Sequence, residues 1–305
     1  MLVKFWGVRG SIATPGPTTV KYGGNTSCVE VRLDDHLLVL DAGTGIRLLG
    51  LDLLRRNTDG RIHLLISHPH WDHIQGLPFF LPAFREEFEL NIYGYDSNNQ
   101  ELEKTLANQM DPVYFPVQMG DLRAKLNFTK VEEGSFYLNE AIRIDTIFLN
   151  HPGYNMAYRI NYQGKTVVYA TDNQPFGRTR NLGMWATEEY FNSLGSNKHD
   201  HIAVAFDDLN RRIIEFARGA DLLIHDAQYT PGEFEEKVDW GHSPYPFAAQ
   251  VASQAGVKHL VLFHHEPEHS DAMIGQMEQQ AREALQEADH QIKCQAAYEG
   301  LELSL

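Results

Sequence analysis

The sequence predicts an α/β chain of β-sheets sandwiched between helices, and three observations carry that prediction. Short runs rich in Val, Ile, Leu and aromatics recur along the 305 residues, bounded by Gly, Asp or Asn. Helical periodicity appears between the later runs. Strands come first as hairpins and then alternate with helices, the order expected of layered sheets and helices.

The strand candidates are Val3 to Trp6, Cys28 to Leu33, Leu37 to Leu40, Ile62 to Ile66, Leu90 to Tyr93, Ile142 to Phe148, Met156 to Ile160, Thr166 to Tyr169, Leu222 to Ile224 and Leu260 to Phe263. Leu33-Asp34-Asp35-His36 and Tyr162-Gln163-Gly164-Lys165 read as hairpin turns. Helices are expected over residues 99–109, Asp207 to Arg218, Phe247 to Ala255 and Asp271 to Asp289. In the second, Asp207 or Asp208 is the expected N-cap and Gly219 the stop; Gly256 stops the third. In the last, Ile274, Met277, Ala281, Leu285 and Ala288 recur at helical spacing. No Pro/Gly/Ser-rich linker, low-complexity tract or internal repeat divides the chain, so residues 1–305 are expected to form a single domain. Residues 173–201 fit no period and are expected to form a surface insertion or lid.

Composition narrows the function. Lys and Arg number 26 against 41 Asp and Glu, a net charge of −15 with no basic run. Such a surface does not grip long nucleic acid or an anionic membrane by bulk electrostatics. Cys28 and Cys294 cannot build a disulfide scaffold and suit a reducing compartment. No apolar run approaches a membrane span, and MLVKFWGVRG is not a leader, so a cytoplasmic protein is expected. The 15 histidines are many and unevenly placed.

Their densest cluster follows the run Ile62 to Ile66: Ser67-His68-Pro69-His70-Trp71-Asp72-His73. Side chains two apart on an extended segment point the same way, so His68 and His70 can reach one metal ion. A turn after them would carry Asp72 and His73 toward a second. Further ligand types stand at the ends of later runs: His151, Asp172 and His264. Asp41 also ends a run; it can fix an imidazole or, as a plain strand-end residue, cap the next helix.

In this order, His68-Pro-His70-Trp-Asp72-His73, His151, Asp172 and His264 resemble the metallo-β-lactamase-fold hydrolases. The resemblance runs from Asp41 and Gly43-Thr44-Gly45 to His264, and implies a four-layer αββα sandwich with two metals at one edge of the sheets. It implies that His68, His70 and His151 hold the first metal, that Asp72, His73 and His264 hold the second, and that Asp172 bridges both. Asp172 stands where two-zinc β-lactamases usually carry Cys, and His70 where diiron oxidases usually carry Glu. Leu223-Ile224-His225-Asp226-Ala227 and Gly241-His242-Ser243 resemble signatures of the phosphodiesterase branch, which includes the tRNA 3′-processing endonuclease and the phosphoribosyl 1,2-cyclic phosphodiesterase. The endonuclease carries Glu where this chain has Asp226. Phe5-Trp6-Gly7-Val8-Arg9-Gly10-Ser11 and Tyr22-Gly23-Gly24-Asn25-Thr26-Ser27 resemble the bacterial cyclic-phosphodiesterase-like group.

Charge supports the same chemistry. Two divalent ions offset by Asp72 and Asp172 leave about +2, which suits a phosphodiester monoanion and a metal-bridging hydroxide. Asp72 is expected to orient or deprotonate the water. His242 is the candidate general acid with Asp226 holding its ring, although His242 also reads as a helix-entry residue. Zinc is the first choice for this donor set, with manganese or iron as alternatives. The expected partner is a small or cyclic phosphodiester, without long nucleic acid or membrane; a homodimer is the default assembly. Alternatives are an RNA-end nuclease, a thioester hydrolase of the glyoxalase kind and a metal-stabilised sensor without turnover. His225 reads as a donor to a metal ligand, as pocket-lining or as a buried, hydrogen-bonded residue, and His265 as a partner of a ligand or as substrate-facing. Arg9, Arg47 and Asn25 are candidate phosphate contacts with ordinary turn or surface roles as the alternative.

Overall fold

The computed structural model describes residues 1–56, 60–95, 102–177, 198–288 and 291–305, without the side chains of 198–206. Contacts group the chain into two compact units: Met1–Glu133 with His264–Ile274 and Ala296–Leu305, and Gly134–Phe263 with Gly275–Gln295. The chain crosses directly at Glu133–Gly134 and Phe263–His264, so no linker composition marks the division. Most of the expected insertion, residues 178–197, lies outside the described residues.

The first unit carries β1 (Leu2–Gly7), β2 (Cys28–Leu33), β3 (His36–Leu40), β4 (Gly60–Leu65), β5 (Phe88–Gly94) and β6 (Lys125–Lys130). The second carries β7 (Gly134–Tyr137), β8 (Ile142–Leu149), β9 (Asn155–Tyr162), β10 (Lys165–Ala170), β11 (Leu222–Asp226), β12 (His259–Phe263) and β13 (Lys293–Ala296); β14 (Glu302–Ser304) returns to the first. One seven-stranded sheet has the order β14-β1-β2-β3-β4-β5-β6 and the other β13-β12-β11-β10-β9-β8-β7. Both are mixed: β1 to β3 pair antiparallel and β3 to β6 parallel, while β7 to β10 pair antiparallel and β10 to β12 parallel. Two sheets with helices are the element content of the expected αββα architecture.

Strand grammar explains the pattern. β5 alternates buried and half-buried residues, whereas central β11 is buried throughout, as a parallel strand covered on both faces must be. Both expected hairpin turns form, with Asp34, Gln163 and Gly164 at positive φ. Ten strands meet the apolar runs. The four that had none, β6, β7, β13 and β14, are the four sheet edges. An edge strand need not bury both faces, and the residues of β6 and β7 are exposed or half-buried.

Each sheet has its own helical cover. Ile46, Leu49 and Leu53 of the helix Ile46–Arg55 pack with Val39, Ile62 and Leu90; no helical period had marked that helix in the sequence. In the second unit Ile213 and Ala217, Val251 and Ala252, and Ala281 and Leu285 bring three helices into one core with Val168, Leu223 and Leu262. Those helices are Lys198–Ala217, Tyr245–Ala255 and Asp271–Glu287. The first begins well before the expected Asp207 or Asp208 N-cap, so Asp207 sits exposed in its middle. Gly256 ends the second in the left-handed conformation, as expected. The helix expected over 99–109 is described as Leu102–Asn108. No described helix is long and apolar enough to cross a membrane.

Burial in the sheets has a pH consequence. His63 of β4 lies against Tyr93, and its removal from water, aided by Arg61 and His36, lowers its pKa to about 4. The unfolded chain therefore takes up a proton between roughly pH 6.5 and 4 that the folded chain refuses, and stability falls as pH drops through that window. The urea midpoint of the protein is expected to fall from pH 7 to pH 4.5, and to fall less in His63→Gln. Parallel pH profiles of the two proteins would contradict this origin.

Candidate metal centre

The first unit builds its donors on the carboxyl ends of two parallel neighbours. β3 and β4 pair with Leu40 beside Leu65, so Asp41 leaves the sheet next to the segment that becomes Ser67 and His68. Asp41 is fully buried. Its Oδ1 accepts the Ser67 N–H at 2.7 Å, and its Oδ2 accepts the Ser67 hydroxyl at 2.8 Å and His73 Nδ1–H at 2.7 Å. Only Nδ1 of His73 can carry that proton, which leaves Nε2 as a lone-pair donor. The Ser67 hydroxyl spends its single hydrogen on Asp41 and accepts from His68 Nδ1–H at 3.1 Å. His68 Nε2 is thereby a lone-pair donor too, 2.9 Å from His70 Nδ1. One carboxylate thus sets the tautomers of two imidazoles, whereas the next helix, Ile46–Arg55, has Gly45 as its N-cap and no side-chain cap, so Asp41 does not cap it.

The short helix Trp71–Ile74 turns Asp72 and His73 back toward His264, the residue after β12. His73 Nε2 and His264 Nε2 stand 3.2 Å apart, and Asp72 Oδ2 lies 3.3 Å from the first and 3.0 Å from the second. With the His73 proton on Nδ1, the ring nitrogens and the carboxylate oxygen form a compact donor set that a divalent cation would hold together. Donors on one tetrahedral zinc stand about 3.3 Å apart, so the set fits a divalent ion. Burial alone would raise the Asp72 pKa, but His73 and His264 outweigh it and hold the carboxyl well below the usual range. Ser11 N–H adds a 2.7 Å bond to Asp72 Oδ2.

The second unit repeats the device. β8, β10 and β11 run the same way, so His151, Asp172 and Asp226 emerge at one edge of that sheet. His151 Nδ1–H donates to the Gly241 carbonyl at 2.9 Å, and its Nε2 lies 3.8 Å from Asp172 Oδ2. Gly241 has φ +88°, and a Cβ there would stand 2.2 Å from His151 Nδ1, so only glycine fits. Asp172 Oδ1 accepts the Thr171 hydroxyl at 2.6 Å. Asp172, Asp226 and His242 bring ligand-type atoms within 4.8 Å of one another. Asp226, however, is saturated: Oδ1 accepts from Gln228 and Ser243 N–H, and Oδ2 from Asn173 N–H and from His242 Nδ1–H at 2.9 Å. Four donors fill its lone pairs, so it orients His242 and is no ligand.

Other expected residues are placed differently. His265 is buried, pushed down to about pKa 3 by desolvation, and donates Nε2–H to the Ala297 carbonyl. His225 is buried with Nδ1–H on the Asp226 carbonyl. Arg9 is fully buried, with Nε–H on the Gly23 carbonyl and Nη1–H on those of Glu266 and His269, which ties the loops together. Asn25 is occupied by Glu299, while Arg47 is exposed. Sequence reading missed the roles of Ser67, Gly241 and Gln174, whose Oε1 accepts from Asp239 and Gly241 N–H. Ser67 had one signal, its place directly before the histidine run.

Comparisons with known proteins bear on the fold. A family profile described as "Beta-lactamase superfamily domain" matches residues 36–186. Ribonuclease Z of Thermoplasma acidophilum is 26% identical over 307 residues, covering 93% of this chain and 91% of its own. Ribonuclease Z of Lactococcus lactis is 26% identical over 240 residues, 72% of this chain and 75% of its own. Among solved structures, the metallo-β-lactamase fold protein YhfI from Bacillus subtilis superposes with a TM-score of 0.64 at 18% identity, over 99% of both chains. The human short-form tRNase Z gives 0.61 at 18%, over 100% of this chain and 99% of its own. A diphosphatase of the PhnP family gives 0.62 at 17%, over 100% and 97%.

Two substitutions test the scaffold. Asp41→Asn removes the charge that sets His73 and, through Ser67, His68; divalent-metal affinity, read by competition with a chromogenic chelator, is expected to drop about 10- to 100-fold with the circular dichroism unchanged. Gly241→Ala must push His151 aside, and the protein is expected to purify with less metal by elemental analysis. Wild-type metal content in Gly241→Ala would refute the fit.

Proposed function

We propose that this chain, a metal-dependent hydrolase of the metallo-β-lactamase fold, cleaves a small or cyclic phosphodiester at a centre of two divalent ions. In this reading His68, His70 and His151 hold one ion, Asp72, His73 and His264 hold the other, and Asp172 bridges them. Histidines dominate the set, which favours zinc over manganese or iron. Bound ions supply Lewis acidity toward the phosphoryl oxygens and bring the pKa of a water nucleophile near neutrality.

The observation that carries the substrate class is the Asp226–His242 pair. A thiolate leaves without help, whereas an alkoxide leaving from phosphorus needs a proton. His242, oriented through Nδ1 by a saturated buried carboxylate, would deliver that proton from its imidazolium form, which Asp226 stabilises. Asp72 is kept ionised and directs or accepts the proton of the attacking water. His68 and His73, their tautomers fixed through Asp41, bring lone pairs and no proton to the ions.

A second reading, RNA-end processing, is favoured by the relatives named Ribonuclease Z. The charge of −15 weighs against a long polyanion. Turnover of short RNA that falls steeply with salt would select it over the small-substrate reading.

His242→Ala is expected to lower kcat on a diester with an alkyl leaving group by about 10²- to 10⁴-fold. The loss should shrink for a 4-nitrophenyl ester, whose leaving group needs no proton. Asp72→Ala is expected to lose both activities. Stripping metal with dipicolinate should abolish turnover and zinc should restore it. Full activity in both variants, or a metal count near zero in protein never exposed to chelator, would sink the proposal.

A further inference from the structure

We infer that Trp71 and Trp240 each offer, in its own unit, a stacking platform for a nucleobase, so that the substrate is a base-bearing phosphodiester in preference to a bare sugar phosphate; this rests on the phosphodiesterase reading above. The chain has four tryptophans. Trp6 is half-buried with its indole N–H on Glu30, and Trp185 lies outside the described residues. The remaining two are the exposed ones, at 77% and 63% of their surface. Trp71 stands between His70 and Asp72, and Trp240 two residues before His242. Exposure of so large an apolar ring beside ligand-type residues in each unit is unusual, since tryptophan is on average highly buried.

The backbone beneath each ring is fixed, and Lys237 Nζ lies 5.8 Å from the centre of the Trp240 ring. Trp71 opens the helix that carries Asp72 and His73, so its backbone is fixed by the same turn that gathers the donors. Trp240 sits between two residues with left-handed backbones, Asp239 at φ 73° and Gly241 at φ 88°. Buried Gln174 pins both by accepting their N–H groups. A pinned, strained loop that ends on an exposed indole is preorganised for a flat partner. The charge supplies the complement: a chain at −15 without a basic run draws little affinity from phosphate contacts along a strand. Base stacking is sequence-tolerant and needs no charge on the protein.

The test compares a uridine 2′,3′-cyclic phosphate with ribose 1,2-cyclic phosphate, which has no base, in wild type, Trp71→Ala, Trp240→Ala and the two Phe variants. Each Ala variant is expected to raise KM for the base-bearing diester roughly tenfold with kcat held. Turnover of the base-free diester should be unchanged, and Phe should restore most of the loss. Metal content is measured in parallel; if Trp71→Ala loses metal, Trp71→Phe and Trp71→Leu replace it. Unchanged KM, or equal loss on both substrates, overturns the inference while leaving the phosphodiesterase reading intact. AMP titrated into the metal-loaded protein should quench indole emission, less so in each variant. If wild type cleaves neither diester, the reading above fails and this quenching decides the platforms alone: its absence overturns them.

Discussion

One buried carboxylate organises much of the donor set. Parallel pairing of β3 with β4 brings Asp41 beside Ser67, and from there every bond follows from donor and acceptor arithmetic. A carboxylate only accepts, so His73 must give its Nδ1 proton and the serine its hydroxyl proton. The serine oxygen then has only lone pairs for His68. Burying this charge is tolerable because three donors meet it. Its consequence is that two imidazoles, assigned to different ions, depend on the same side chain.

The backbone carries strain at the same places. Asp41, Asp172 and His264 adopt φ of 62°, 53° and 63°, in the left-handed region that side chains other than glycine's rarely enter. Each lies within two residues of the end of a sheet strand, where the ladder fixes the preceding peptides and forces the turn. Such conformations persist when the surroundings over-determine them, and they mark functional positions. Asp226 makes the contrast. It is as buried as Asp41 but ends a strand without that strain, and its four donors leave it no lone pair for an ion. Chemistry separates these acids where residue type does not.

How far the sequence speaks depends on burial. Central strands must be apolar on both faces, so β4, β10, β11 and β12 stood out, and the histidine cluster stood out because polar residues end those runs. Edge strands bury little, which is why β6 and β14 carried no signal. The helix Lys198–Ala217 shows the opposite limit: capping residues such as Asp207 are frequent on exposed helical faces, and a cap was expected where only a surface position exists. Ligand types were legible because His and Asp in such density have no packing role. The residues that aim them were not. Ser67, Gly241 and Gln174 act through a hydroxyl, a missing Cβ and an amide oxygen, and nothing in one sequence separates these from ordinary turn residues.

The acidic balance then has a physical place in the proposal. Surface charges are screened over about 8 Å at physiological ionic strength, so a small anion at the ions meets few of the 41 acids. A long polyanion would meet them at each phosphate that lies on the surface. The same charge therefore opposes one substrate class and is nearly neutral to the other. Selection among small diesters must come from uncharged groups, since phosphate is common to all of them. Exposed indoles beside the histidines are groups of that kind, and they favour a base, whose flat face adds affinity that a bare sugar cannot match.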